Sequence, residues 1–299
     1  MLDLLRGCFR AEHPASTALR CRADLPAEGT AMALLPGLLP GVPAYTVKVN
    51  AKFPGASPAI RGVVCLHSLD DGALLALADS VSITSARTGL AAALATDVLA
   101  RPGADGVAVI GAGAQARSTL TGLAACRPIR RLVVMDVNRA AAEAFAEEHG
   151  AGVEEVIVVD DAATAAALAD ILVVATWSRE PVLRRSDLRA GQHVTSLGAD
   201  EAGKRELGDD VLADCVLVVE DRGLSFRHGA LSDARAEEDV TAATLGEVLR
   251  GDREGRGGES DLTVFSPVGL PWLDLALTWH VYRMALERGL GERLVDFHE

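Results

Sequence analysis

Basic and aromatic residues are scarce in this sequence, and their scarcity excludes several classes of protein. Lysine and arginine number 29 against 42 aspartates and glutamates, which gives a net charge of −13 at pH 7. Such a chain, with no basic run, is not expected to bind nucleic acid or anionic membranes. No apolar run approaches the ~20 residues that a membrane-spanning helix needs. Aromatic residues make up only 4% of the chain, so we expect a core of alanine, valine and leucine.

Cysteine is also scarce, and its pattern argues against a disulfide framework and a zinc centre. The five cysteines form no C-x-x-C pair and no zinc-ligand spacing: Cys8, Cys21, Cys65, Cys126 and Cys215. We therefore expect reduced thiols and no metal site. Asp3 and Arg6 interrupt the first apolar residues and no small-residue cleavage site follows, so the N-terminus does not read as a secretion signal. These features predict a cytoplasmic protein.

The segment 107–116, VAVIGAGAQA, is the most informative part of the chain. An apolar run ends in glycines and a helix-forming stretch follows, which matches the dinucleotide fingerprint G-x-G-x-x-G/A. Gly111 permits a tight turn, Gly113 lets the backbone approach a pyrophosphate, and Ala116 keeps helix and strand close. The N–H groups at the helix start favour a bound diphosphate. The predicted cofactor contacts in this turn are Gly111, Gly113, Ala114 and Gln115.

A second apolar run, Leu132–Met135, ends in Asp136. An acid at this point accepts hydrogen bonds from the hydroxyls of the adenine ribose and repels a 2′-phosphate, so we expect NAD rather than NADP. Arg139 lies nearby in the sequence and is placed to meet a 2′-phosphate instead. The alternative is an ordinary strand–helix turn with a surface aspartate.

The chain divides into two regions with different patterns of predicted elements. Up to residue 102, extended segments predominate, and a D-D-G turn predicts a hairpin. A proline and a glycine at 102 and 103 then mark a domain boundary. The predicted elements of this region are the extended segments Tyr45–Lys52, Gly62–Ser68 and Ala73–Asp79 and a helix over Ser85–Ala100.

From 103 onward, apolar runs alternate with helical stretches, which predicts an α/β fold with a doubly wound parallel sheet. The candidate strands are 107–110, 132–135, 156–159, 171–175, 193–197, 215–219 and 262–265, with helices over 115–125, 139–149 and 161–169. Gly251–Ser260 is polar and glycine-rich, so we expect a mobile surface loop there. Val268–Leu290 is predicted to form a long helix that returns the chain to the first region.

Several segments together resemble the ornithine cyclodeaminase/mu-crystallin family over most of the chain. They are ITSARTGLAAALA at 83–95, VIGAGAQA at 109–116, ADILVVATWSREPVL at 169–183, GQHVTSLGADEAGKREL at 191–207, LGEVLRG at 245–251 and TVFSPVGLPWLDLA at 263–276. The resemblance implies a homodimeric NAD(P)-dependent enzyme that forms or reduces a C=N bond at an amino-acid α-carbon. It also implies an α+β substrate and dimerisation domain over 1–102, completed by 277–299, beside a dinucleotide-binding Rossmann domain over 103–276.

The resemblance assigns cations that hold the substrate carboxylate. Arg87 matches the family's clamp arginine, and its guanidinium suits a bidentate contact with a carboxylate. Lys48 matches the active-site lysine of the family. A third cation matches either Arg20 or Arg22, and the choice stays open because the following loop varies in length among relatives. The alternative for both of these arginines is ordinary surface charge.

The resemblance also assigns the acid–base group and the remaining cofactor contacts. Asp200 matches the family's catalytic carboxylate, which takes a proton from the substrate amine or activates water at an iminium carbon. The alternative is that Asp200 is an ordinary aspartate that caps a helix or lies in a loop. Asp274 matches no defined role beyond orienting a neighbour. The matched cofactor residues are Thr88 at the phosphates, and Thr176, Leu197, Gly198 and Val268 around the nicotinamide.

Two departures from the family bear on the substrate. Relatives that act on ornithine carry an acid just before the proline of the segment that is Met32–Pro36 here, and this chain has none. Without that carboxylate, a substrate δ-ammonium lacks its natural partner. The segment before Leu2–Phe9 is also shorter than in the family, which leaves the dimer surface and one wall of the pocket open. A smaller or apolar amino acid, or a cyclic imine, therefore fits better.

The sequence is consistent with three hypotheses for the function. The first is an amino-acid dehydrogenase, imine reductase or cyclodeaminase that uses NAD. The second is an ornithine cyclodeaminase proper, which converts L-ornithine to L-proline. The third is a non-catalytic ligand-binding protein of the mu-crystallin kind. Asp200 and Lys48 favour an enzyme, because a protein that only binds a ligand has no use for them.

Overall fold

The computed structural model describes residues 1–11, 20–56, 58–201, 203–232 and 241–293, and the chain separates into two compact units. The first unit contains Met1–Glu12 and Ser85–Leu270, and the second contains His13–Thr84 and Pro271–Glu299. The chain therefore passes between the units at 12/13, 84/85 and 270/271. The last two junctions precede the predicted boundaries at 102/103 and 276/277, and Met1–Glu12 groups with the parallel-sheet unit rather than with the predicted domain over 1–102. The assignment of substrate and dinucleotide roles to the two parts stays a prediction.

Close helix packing explains why the boundary at 84/85 precedes the proline and glycine at 102 and 103. The helix α2 spans Ser80–Leu99, and most of it lies in the first unit. A Cβ on Gly89 would come within 2.4 Å of the Ser118 carbonyl carbon, so only glycine allows this approach between two helices. The helix also begins five residues before the predicted start, since Asp79 accepts a 2.8 Å hydrogen bond from the Ser82 N–H.

The first unit is built on a parallel sheet, which confirms the predicted doubly wound α/β fold. Its eight described strands lie in the order β12-β11-β13-β10-β9-β6-β7-β8. They are β6 (Gly106–Ile110), β7 (Arg131–Met135), β8 (Glu155–Val158), β9 (Ile171–Val174), β10 (His193–Ser196), β11 (Val216–Val219), β12 (Ala243–Thr244) and β13 (Thr263–Ser266). The central strands β6, β9, β10 and β13 are buried along their full length, and burial on both faces explains the uninterrupted apolar runs of β6 and β9.

Helices accompany these strands as the alternating pattern predicts. They are α3 (Ala114–Ala124), α4 (Arg139–His149), α5 (Ala162–Ala167), α6 (Asp209–Leu212), α7 (Arg222–His228) and α8 (Leu245–Arg250). The N-terminal helix α1 (Leu2–Arg10) packs on α8, where the Arg10 Nε donates to the Leu249 carbonyl at 3.1 Å. Among the described residues, every helix is too short or too polar to cross a membrane.

The strand order places a topological switch point between β6 and β9. From β6 the chain moves outward through β7 and β8, and then returns to the other side of β6 with β9 and β10. In open α/β sheets, ligands bind in the crevice that forms outside the carboxyl ends of the strands at such a point. We therefore expect a ligand site among the loops after β6, β7, β9 and β10.

The second unit is a five-stranded antiparallel sheet with a long helix on one face. The strands β1 (Cys21–Asp24), β2 (Ala31–Gly37), β3 (Ala44–Lys52), β4 (Ile60–Ser68) and β5 (Leu74–Asp79) pair in sequence order, so the predicted hairpin of β4 and β5 is confirmed. The helix α9 (Pro271–Arg288) contacts β2, β3 and β4. It begins at a proline, whose fixed φ suits the first helical position.

One half-buried arginine changes the interpretation of the polar segment Gly251–Ser260. The Arg256 guanidinium donates to the carbonyls of Leu99 and Asp261, both at 2.7 Å, and to the Thr263 hydroxyl at 2.9 Å. Most of the segment lies at the surface as predicted, and Arg256 anchors its middle to the neighbouring elements. The predicted mobility stays a prediction. Composition alone does not show that one side chain of a polar loop satisfies carbonyls in the neighbouring elements.

Candidate active site

The glycine-rich loop after β6 has the conformation that a dinucleotide turn requires. Gly111 has φ of +94°, and a Cβ there would lie 2.5 Å from the Ala175 carbonyl oxygen, so both the backbone angle and the space demand glycine. Gly113 forms the N-cap of α3, and a Cβ on it would meet nothing within 4 Å. No side chain caps α3, and the Gln115 Oε1 is buried with no hydrogen-bond partner among the described residues. This loop thus offers room and unused polar groups.

Asp136 lies directly after β7 and binds the same loop. Its Oδ2 accepts from the Ala112 N–H at 2.7 Å and its Oδ1 from the Asn138 N–H at 2.8 Å. Each carboxylate oxygen keeps a further lone pair that can accept from a ligand hydroxyl. Arg139, the sequence-based argument for NADP, forms ion pairs with Glu143 at 2.8 Å and Asp160 at 2.6 Å.

Glu206 joins the ends of β9 and β10, and sequence reasoning did not single it out. Its Oε1 accepts from the Thr176 N–H at 2.6 Å and the Thr176 hydroxyl at 2.9 Å. Its Oε2 accepts from the Ser196 hydroxyl at 2.7 Å and the Gly198 N–H at 2.8 Å. Burial raises the pKa of this carboxyl to about 7, although all four hydrogen bonds favour the charged form. The only feature of the sequence that points to Glu206 is its position in the segment GQHVTSLGADEAGKREL.

Asp200 follows β10 in the same crevice. Its Oδ1 forms an ion pair with the Lys204 Nζ at 2.8 Å, and 41% of its side chain is exposed. Lys204 also lies 4.6 Å from the centre of the exposed Trp177 ring. Asp200 is therefore a solvent-accessible acid beside a cation and an aromatic surface, and this environment allows contact with a substrate.

Arg87 is held among groups that follow β11 and β13. Arg87 is buried, with only 6% of its surface exposed. A Cβ on Gly269, which has φ of +95°, would lie 2.8 Å from Arg87 Nη1, so the glycine makes space for the guanidinium. Glu220 accepts the Gly269 N–H at 2.7 Å. Burial raises the pKa of Glu220, and the charge of Arg87 opposes that rise. Glu220 is a second residue that sequence reasoning missed.

The buried histidine of β10 has a structural environment. His193 Nδ1 lies 2.9 Å from the Thr263 hydroxyl and Nε2 lies 2.9 Å from the Thr195 hydroxyl. Burial lowers the pKa of His193 to about 3, so the ring is neutral near pH 7. Both ring nitrogens are thus occupied inside the sheet, and this histidine is not a candidate acid or base.

The second unit contains a buried ion pair at its centre. Lys48 lies on β3 and is 1% exposed, and its Nζ is 2.6 Å from Asp274 Oδ2 and 3.3 Å from the Thr84 hydroxyl. Asp274 lies in the first turn of α9 and is fully buried. The neighbour that Asp274 orients is therefore Lys48, and the two residues are far apart in the sequence.

The remaining predicted residues have less defined surroundings. Arg20 lies just before β1 and is half-buried, whereas Arg22 lies on β1 and forms an ion pair with Asp24 at 3.2 Å. Thr88 follows Arg87 on α2 and is half-buried. Leu197 and Val268 are both buried, after β10 and β13 respectively. The roles of all these residues, and the choice between the two arginines, stay predictions.

Comparison with known proteins gives independent findings. The model of the ornithine cyclodeaminase/mu-crystallin family matches residues 11–289. The chain is 35% identical over 240 residues to an L-lysine cyclodeaminase of Streptomyces rapamycinicus, which is 79% of this chain and 69% of that protein. The predicted family resemblance is confirmed.

Solved structures agree with this result. The Thermococcus litoralis Δ1-pyrroline-2-carboxylate reductase, in complex with NADH and L-proline, is similar with a TM-score of 0.90 and 30% identity, covering 98% of this chain and 94% of that one. An archaeal alanine dehydrogenase dimer with bound NAD gives a TM-score of 0.89 and 29% identity, covering 99% of this chain and 94% of that one.

The buried ion pair predicts a specific pattern of stability. Asp274→Asn leaves the Lys48 ammonium without its counter-charge, so we expect the free energy of unfolding to fall by about 3–5 kcal/mol. Lys48→Met with Asp274→Leu removes both charges and is expected to recover most of that loss. Urea unfolding at pH 7 measures both variants. Losses that simply add in the double variant would contradict the coupling.

Proposed function

We propose that this chain, which belongs to the ornithine cyclodeaminase/mu-crystallin family, is an NAD-dependent enzyme acting at the α-carbon of an L-amino acid or its imine. It is an amino-acid dehydrogenase, an imine reductase or a cyclodeaminase that releases ammonia. The observation that carries the proposal is the arrangement of groups along one edge of the parallel sheet. The glycine loop, Asp136, Thr176, Gly198 and Asp200 all follow the carboxyl ends of β6, β7, β9 or β10.

The residues at this edge fit NAD. The uncapped start of α3 and the open space at Gly113 suit the pyrophosphate. Asp136 has lone pairs for the ribose hydroxyls, and Thr176 and Gly198 follow β9 and β10, across the switch point from Asp136, which supports their assignment to the nicotinamide half. Thr88 and Val268 complete the proposed contacts. When bound, NAD takes up a hydride from the substrate Cα, and NADH supplies one in reverse.

The substrate contacts combine a cation clamp with an acid. Arg87 binds the substrate carboxylate, and Glu220 and Gly269 support its guanidinium. Lys48, held by Asp274, polarises the substrate or keeps its amine neutral, and Arg20 or Arg22 adds a third cation. Asp200 accepts the proton from the amine during oxidation and returns it during reduction. Lys204 holds the Asp200 carboxylate in place.

Cyclodeamination is the second candidate, and the chain's 35% identity to an L-lysine cyclodeaminase supports it. An ornithine cyclodeaminase proper is disfavoured because Met32–Pro36 offers no carboxylate to a side-chain ammonium. A ligand-binding protein without activity would not need the exposed acid Asp200 beside Lys204. An NADH absorbance screen over amino acids, 2-oxo acids with ammonia, and cyclic imines separates these candidates.

A second copy of the chain is the proposed partner, and the outer face of the five-stranded sheet is the proposed contact. The face opposite α9 is mostly apolar: in register across the strands lie Leu34, Val49 and Val63 in one row, which ends at Asp79, and Pro36, Val47, Cys65 and Leu77 in another. Leu77 is 44% exposed. An accessible apolar face calls for a partner. The similar archaeal alanine dehydrogenase, whose structure is a dimer, supports a homodimer here.

The proposed site of action is the cytoplasm. All five cysteines lie in the described part of the chain, and none of them forms a disulfide. That state suits a reducing compartment.

Asp136 predicts a preference for NADH over NADPH. We expect fluorescence titration to give a dissociation constant at least about tenfold lower for NADH, since a carboxylate at this point repels a 2′-phosphate. Arg139→Ala is the control, and it should leave the NADPH affinity unchanged because Glu143 and Asp160 already engage Arg139. NADPH binding that equals or exceeds NADH binding would show the assignment to be wrong.

If Asp200 is the catalytic base, replacing it should lower the turnover without weakening cofactor binding. Asp200→Asn keeps the side-chain shape but removes the base, so kcat should fall by ~10²–10⁴-fold while the dissociation constant for NADH stays the same. The control is Asp252→Asn, which alters an exposed ion pair with Arg250. Full activity in Asp200→Asn would exclude this carboxylate as the base.

The proposed interface predicts a monomer from one substitution. Val49→Asp places a charge in the middle of the apolar face, and light scattering at micromolar concentration should show half the mass of the wild type. Leu69→Asp is the matched control, because Leu69 is also apolar, lies in the turn after β4 and is 51% exposed. A monomeric wild type, or a dimeric Val49→Asp variant, would refute this interface.

A further inference from the structure

The positions of Thr176 and Gly198 depend on one buried carboxylate. The hydrogen-bond ladder between β9 and β10 ends where the Leu197 N–H donates to the Val174 carbonyl at 2.8 Å. Beyond that point, the Thr176 and Gly198 N–H groups donate instead to Glu206, at 2.6 and 2.8 Å. Glu206 is 1% exposed. The two chain segments past the strand ends are thus held together by a side chain rather than by the sheet.

The geometry accepts only a carboxylate at this position. One backbone N–H points at Oε1 and the other at Oε2. A glutamine in either orientation would turn its NH₂ group toward one of these N–H donors, and two donors cannot bond to each other. Space is equally restrictive, since a Cβ on Gly198 would lie 2.4 Å from the Glu206 Oε1. The hydroxyls of Thr176 and Ser196 fill the remaining acceptor sites.

We propose that Glu206 is a positioning residue for the nicotinamide half of the cofactor, because it sets the backbone of Thr176 and Gly198 on that side of the switch point. The inference rests on the proposed function, which places the nicotinamide beside these two residues. It concerns one half of the dinucleotide only. The glycine loop, Asp136 and the start of α3 hold the other half and make no hydrogen bond with Glu206 among those found in the described residues.

Comparing two ligands isolates the nicotinamide ring. NADH and ADP-ribose share the adenosine, the pyrophosphate and the second ribose, and ADP-ribose lacks only the nicotinamide. Glu206→Gln should weaken NADH by about tenfold, equivalent to about 1.4 kcal/mol. ADP-ribose should bind within about twofold of its wild-type affinity, since it lacks the ring that Thr176 and Gly198 are proposed to contact. Fluorescence and calorimetric titrations of the full chain give the two dissociation constants.

Two further variants make the result specific. Glu247→Gln alters another glutamate of the same unit, which accepts the Thr244 N–H at 2.8 Å in the capping box of α8, and it should leave both ligands unaffected. Ser196→Ala removes one hydroxyl donor from Glu206 and keeps both backbone donors. It should weaken NADH by about two- to threefold and leave ADP-ribose unchanged, and it carries the test if Glu206→Gln does not fold.

The outcomes separate this inference from its premise. A wild type that binds neither ligand overturns the proposed function and the inference together. A wild type that binds both, with a Glu206→Gln variant that loses neither or loses both equally, overturns the inference alone. The same holds if neither Glu206→Gln nor Ser196→Ala shows a loss that is specific to NADH.

Discussion

Buried or half-buried carboxylates accept hydrogen bonds from backbone N–H groups at the carboxyl ends of the parallel strands in this protein. These N–H groups lie beyond the last hydrogen bonds between the strands, so they need other acceptors. The acids, with the residues whose N–H groups they accept, are Asp136 with Ala112, Glu206 with Thr176 and Gly198, and Glu220 with Gly269. Asp136 and Glu220 each follow one strand and bind the loop after another, and Glu206 joins the loop after β9 to its own loop after β10. The loops that form the crevice are therefore set by charge-assisted hydrogen bonds.

This arrangement has an electrostatic cost. Burial raises the pKa of both Glu206 and Glu220, which means that the charged forms are desolvated. The hydrogen bonds offset part of that cost, and so does the Arg87 charge beside Glu220. The second unit uses the opposite arrangement, in which a buried carboxylate from α9 holds the cation Lys48 on β3. Both units thus place charges where packing alone would favour apolar residues, as functional sites commonly do.

Local patterns in the sequence predicted most of the fold. The sequence pattern predicted seven of the eight strands to within a residue at each end and did not predict the two-residue strand β12. Strands that are buried on both faces, such as β6 and β9, leave an uninterrupted apolar signal. The turn glycines were equally readable, since Gly111 is needed for its positive φ and for its contact with Ala175. The unit boundary at 84/85 was not readable, because α2 continues through it without a break.

The supporting acids escaped prediction for a different reason. Glu206 binds Thr176, 30 residues away, and Glu220 binds Gly269, 49 residues away, so no local spacing reveals them. Lys48 and Asp274 were each noted in the sequence, yet only the fold shows that they form a pair. Residues whose chemistry is local can be found from a motif, whereas residues that act on a distant loop need the topology.

Hydride transfer to the α-carbon is the central claim, and isotope transfer tests it most directly. The protein is incubated with NADH in which both hydrogens at C4 of the nicotinamide are deuterium, together with cyclic imine acids or with 2-oxo acids and ammonia, and the products are examined by mass spectrometry. The account predicts an amino acid with a single deuterium at Cα. An amino-acid product without deuterium at Cα, or no product from any of these substrates, would contradict it.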